Sequence, residues 1–101
     1  MDKKERIKTI PTDYDISERG INRLGYLFVR QDQLDTALKI FQFNLASYPE
    51  SADVFDSVGE TLLELGRVEE GLAAYKNALK LDPNYGNKHV AQKVIEDHAK
   101  L

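Results

Sequence analysis

The chain has no cysteine and no tryptophan, one methionine and only three prolines in 101 residues. Without cysteine there is no disulfide framework, no thiolate zinc site, no iron–sulfur cluster and no thiol nucleophile. No apolar run approaches the ~18 residues that a membrane-spanning helix needs. The opening Met1-Asp2-Lys3-Lys4-Glu5-Arg6 has no apolar core, so no signal peptide is expected and a cytoplasmic location is favoured. A basic excess is missing as well. Fourteen Lys and Arg against 17 Asp and Glu leave a net charge of −3, which offers nothing to nucleic acid or an anionic membrane.

Catalytic equipment is equally scarce. The two histidines, His89 and His98, stand outside any H-E-x-x-H pattern. There is no G-x-S-x-G elbow for a serine nucleophile and no glycine-rich loop for a phosphate. No enzyme activity, metal or cofactor is therefore expected. The length allows one small domain, and 42% hydrophobic residues supply it with a core.

Pro49 and Pro83 are 34 residues apart, a spacing typical of stacked helix–turn–helix units. Laying residues 18–51 over 52–85 matches Gly25 to Gly59, Leu38 to Leu72, Leu45 to Leu79 and Pro49 to Pro83. Ile21, Leu24, Gly25 and Phe28 form one helical stripe, and Phe55, Val58, Gly59 and Leu62 repeat it. Leu34, Ala37, Leu38, Phe41 and Leu45 form a second stripe, copied by Val68, Gly71, Leu72, Tyr75 and Leu79. Ser17 and Ser51 are candidate N-caps, Gly66 suits a helix C-terminus, and each proline disfavours helix at the residue before it. No stretch alternates with period two for long enough to suggest a strand. The class is all-α.

Leu24-Gly25, Phe28, Ala37, Phe41, Leu45 and Pro49, then Gly59, Leu62, Gly66, Tyr75, Ala78-Leu79 and Pro83, resemble two tetratricopeptide repeats. The resemblance covers residues 18–85. Gly71 departs from it, standing where a small alanine is usual, at about 1 kcal/mol of helix propensity. The string Asn22-Arg23-Leu24-Gly25-Tyr26, with Asn44, Tyr48-Pro49 and Phe55-Asp56-Ser57, is similar to the short C-terminal repeat modules of some bacterial serine hydrolases and esterases.

Residues 88–101 read as a fifth helix with Ala91, Val94, Ile95 and His98 along its packing stripe. That register needs a loop lengthened by two residues, for which Gly86 and Asn87 are the candidates. The helix is expected to cap the second repeat over Leu72 and Tyr75. Residues 1–17, with eight charges around Ile7, Ile10, Tyr14 and Ile16, read as a solvated linker or the remnant of a junction to an upstream domain. The domain reading is thus a linker over 1–17, repeats over 18–51 and 52–85, and a capping helix over 86–101.

The tetratricopeptide resemblance implies a concave groove that binds a peptide or protein surface. By position it is lined by Arg19, Asn22, Tyr26, Val29 and Arg30, then Asp53, Asp56, Glu60, Leu63 and Glu64, then His89, Gln92 and Glu96. Residues 52–85 hold seven acids against three bases, which favours a basic partner. Asp53, Asp56, Glu60 and Glu64 are expected along one exposed helix edge, either neutralised by Arg19, Arg23 and Arg30 or left to select that partner. Asn44 is expected to bond a neighbouring backbone group or hydroxyl, with Ser57 a candidate. The second resemblance implies another use, as a module docking on its own upstream hydrolase domain or self-associating. Homodimer formation is expected because two repeats with one cap are few for a stable array.

Overall fold

The computed structural model describes residues 17–99. They form helices α1 (Glu18–Arg30), α2 (Leu34–Ser47), α3 (Ala52–Glu64), α4 (Val68–Leu81) and α5 (Lys88–Ala99), with no strand among the described residues. The expected linker, Ser17 apart, lies outside them. Two starts are capped by serine: Ser17 Oγ accepts from the Gly20 amide at 3.1 Å, and Ser51 Oγ from the Val54 amide at 3.2 Å. Each satisfies one orphan amide of a first turn that also carries an acid, Glu18 or Asp53. Helices α2 and α4 start without a side-chain cap, from turns that close the preceding helix.

Those turns are alike. The Gln33 amide reaches back to the Phe28 carbonyl and the Arg67 amide to the Leu62 carbonyl, both at 2.9 Å. Between them the chain passes through the left-handed region, at Gly66 with φ 82° and at its equivalent Asp32 with φ 59°. The glycine adopts this freely; the aspartate does so at a cost.

Helices α1 and α2 pack as one antiparallel pair and α3 and α4 as the next, with α2 against α3 and α4 against α5. A first core cluster joins Ala37, Leu38 and Phe41 to Val58, Leu62 and Ala74 across the two pairs. A second joins Ala52, Tyr75 and Ala78 to Tyr85 and Ala91, with Val94 and Ile95 packed against it. The lengthened loop and, through Ala91, Val94 and Ile95, the α5 stripe therefore stand as expected, while His98 is half-buried with its Nδ1 2.8 Å from the Val94 carbonyl oxygen. The cap covers Tyr75 but not Leu72, which is outside that cluster.

Within each pair a glycine lets an aromatic ring approach. A Cβ on Gly25 would lie 2.3 Å from the Phe41 ring, and one on Gly59 would lie 3.0 Å from both Tyr75 Cδ2 and the Gly71 carbonyl oxygen. The departure at Gly71 now has its reason. A Cβ there would meet Leu63 Cγ at 2.9 Å and the Gly59 carbonyl oxygen at 3.0 Å, so the lost propensity permits closer approach of α3 and α4.

Candidate functional site

Helices α1 and α3 lie side by side, and equivalent positions in the two repeats face each other between them. A cleft of about 370 Å³ is lined there by Glu18, Arg19, Asn22, Tyr26, Asp53, Asp56, Ser57, Glu60 and Asn87. Tyr26 packs edge-on against the Phe41 ring, centroids 5.0 Å apart, which fixes it in the wall. Its hydroxyl donates to Glu60 Oε2 at 2.8 Å, a bond between residues 34 apart and so between the same position of successive repeats.

Asp56 is the most constrained group in the cleft. It lies on the groove face of α3, yet only 6% of it is exposed. Its Oδ1 accepts from the Tyr85 hydroxyl, and Asn87 Nδ2 donates to both carboxylate oxygens at 3.0 Å. Burial raises its carboxyl above the ordinary aspartate range, and the bonds from Tyr85 and then Asn87 oppose the rise. Burial likewise pushes the hydroxyls of Tyr26, Tyr75 and Tyr85 above the ordinary tyrosine range, keeping them protonated.

The expectation of four acids along one exposed edge is thus corrected at Asp56. Its neighbours in the row fare differently: Asp53 and Glu64 are exposed and Glu60 is half-buried. Asp56 is spoken for by the loop before α5, whose Tyr85 tucks beneath it. The Asn44 expectation is corrected in its partner. Asn44 Nδ2 donates to the Glu18 carbonyl oxygen at 2.9 Å, tying α2 to the start of α1, while Ser57 Oγ donates to the Asp53 carbonyl oxygen at 3.2 Å. Glu18 is a junction of its own, since its Oε2 also accepts from the Ser51 hydroxyl at 2.9 Å.

Of the groove positions read from the sequence, the structure brings Arg19, Asn22, Tyr26, Asp53, Asp56 and Glu60 to one cleft. Val29 and Leu63 turn inward and pack against the first and second core clusters. Arg30 and Glu64 are exposed one helical turn beyond the lining residues. His89, Gln92 and Glu96 are exposed on α5 and do not line this cleft. Asn87 takes the place at the α5 end, directly before Lys88, where Ser17 and Ser51 stand before α1 and α3. That series of polar residues before a helix was the signal for it in the sequence. Tyr85 had none, because a loop tyrosine gives no periodic cue.

Two acceptor atoms among the described residues, Asn22 Oδ1 and Asn44 Oδ1, are buried without a hydrogen-bond partner. Asn22 lines the cleft. No group of three or more His, Cys, Asp or Glu side chains that could hold a metal ion occurs among the described residues, and no helix is long and apolar enough to cross a membrane.

The helix order, the stacking of successive pairs and the 34-residue equivalence define an all-α, tetratricopeptide-like solenoid with a capping helix. Residues 52–85 match the model of the Tetratricopeptide repeat family. Over 62 residues, 61% of its length, the chain is 34% identical to the Peroxisomal targeting signal receptor of Candida glabrata. It is 32% identical over 62 residues to the protein of the same name from Candida albicans. The chain spans about 10% of the length of these curated relatives.

Proposed function

We propose that this chain is a protein-interaction module whose cleft takes a basic segment of a partner protein. The observation behind the proposal is the chemistry of the walls. Four carboxylates, those of Glu18, Asp53, Asp56 and Glu60, share the cleft with the single guanidinium of Arg19. A site rich in acceptors fits a segment rich in donors, and Lys and Arg side chains bring only donors. The likeness to proteins named as receptors for a targeting signal supports recognition of a protein segment.

Surface charge acts chiefly on encounter and specificity, so binding should weaken with salt as the Debye length shrinks below ~10 Å. The probe is a fluorescein-labelled peptide alternating Lys and Ala, followed by anisotropy, with a Glu–Ala peptide as control. The lysine peptide should bind and the glutamate peptide should not. Reversing Asp53→Lys together with Glu60→Lys should abolish that binding while leaving the helical circular dichroism intact. Asp56 is unsuited to this test, since a lysine there would bury a charge against Tyr85 and Asn87. Unchanged affinity in the double variant would remove the groove reading, and docking on an attached hydrolase domain or self-association would take its place.

A further inference from the structure

Asp56 stands between Asp53 and Glu60 in the acidic row of α3, and the two donors that hold it differ in where they lie. Tyr85 is buried and is not among the residues that line the cleft. Asn87 is half-buried and does line it. Its Nδ2 bridges the carboxylate at 3.0 Å from each oxygen, so the Asn87 side chain covers Asp56 on the cleft side. A bound cation coming from the cleft would need that same place. A guanidinium fits it best, because its planar fork gives a carboxylate two parallel N–H bonds, whereas an ammonium is a point charge without a fork. The hydroxyl and the amide now on Asp56 are both neutral, and charge-assisted bonds are about twice as strong as neutral ones.

We propose that Asn87 is a built-in stand-in for a ligand guanidinium, sealing Asp56 in the free chain and giving way to an arginine of the partner segment. The inference rests on the reading of the cleft as a site for a basic segment, and it names arginine as the residue for the central carboxylate. Asp53 and Glu60, on either side of Asp56, carry no such cover and take a lysine as readily as an arginine. Tyr85 keeps its bond to Asp56 from the buried side, so the exchange moves one side chain and leaves the packing of Tyr85 with Tyr75 and Ala91 in place. Asn87 thus acts on affinity and on the choice between arginine and lysine.

The test measures the affinity of the full chain for the labelled Lys–Ala peptide and for its Arg–Ala counterpart by anisotropy. Asn87→Ala removes the stand-in, so the arginine peptide should bind about two- to tenfold more tightly than it binds wild type, the worth of one hydrogen bond that no longer has to be broken. The lysine peptide should gain less. Asn87→Ser, with a shorter side chain of a kind suited to the residue before a helix, should show the same preference and guards against a loosened start of α5. Tyr85→Phe weakens the hold on the same loop without opening the cleft, and it should bring no gain. Arginine binding that is unchanged or weaker in both Asn87 variants would overturn the proposal. An equal gain for the two peptides, or a gain in Tyr85→Phe, would overturn it too. If wild type binds the lysine peptide and the Asn87 variants gain nothing, only the role of Asn87 falls; if no peptide binds any of these chains, the basic-segment reading of the cleft falls with it.

Discussion

A Cβ on Gly25 would overlap the Phe41 ring, whereas one on its counterpart Gly59 would meet Tyr75 less closely. Gly25→Ala must displace a fully buried ring, which costs about 1–3 kcal/mol when a packed core is overfilled. Gly59→Ala needs a shift of only a few tenths of an ångström and regains up to about 1 kcal/mol of helix propensity. Urea midpoints should therefore fall clearly for the first variant and barely move for the second. Equal losses would show that the two pairs are packed alike. Asp56 makes a second residue-scale prediction. Its folded carboxyl is raised above the unfolded value of 3.8, so between those two values the native chain holds more protons than the unfolded one. Its contribution therefore falls as pH rises through that window and is recovered as pH falls. Asp56→Asn should remove this recovery, so the melting curves of wild type and variant should diverge on acidification from neutral pH. Parallel melting temperatures down to the carboxylate range would contradict the burial of this group.

At the scale of elements, periodicity carried most of the fold. The stripes through Ile21, Leu24 and Phe28 and through Phe55, Val58 and Leu62 place α1 and α3. The break in register after Pro83 places α5, because Ala91, Val94 and Ile95 pack only with a longer loop. What periodicity could not convey was which polar side chain reaches across an element boundary. Asn44 bonding to the Glu18 carbonyl, and Tyr85 and Asn87 converging on Asp56, are long-range pairings with no local pattern. For the same reason Val29 and Leu63 belong to the core although their positions suggested the groove. The turns supply a prediction of their own. Asp32 holds a left-handed conformation that glycine adopts freely, while glycine also gives the unfolded chain more freedom. The balance favours Asp32→Gly by up to about 1 kcal/mol. Its urea midpoint should rise, and Gly66→Ala should lower it. A fall for Asp32→Gly would mean that its side chain contributes more to the turn than its backbone costs.

On the scale of the whole molecule, each helix pair repeats the last, and the function proposed for it follows from stacking. Equivalent positions of α1 and α3 face one cleft because successive pairs lie side by side, so Asn22 and Asp56 line it together and Tyr26 bonds Glu60, although 34 residues separate each pair. An acidic second repeat set beside a neutral first one is the reason the proposed function gives that cleft a basic segment to bind. The most direct measurement is an amide-resolved NMR titration of the full chain with the unlabelled Lys–Ala peptide. Shifts should concentrate at Arg19, Asn22, Tyr26, Asp53, Glu60 and Asn87, shrink as salt is raised, and spare Phe43 and Lys76 on the outer helices. Shifts confined to the outer helices or to α5, with the cleft residues unmoved, would contradict the account.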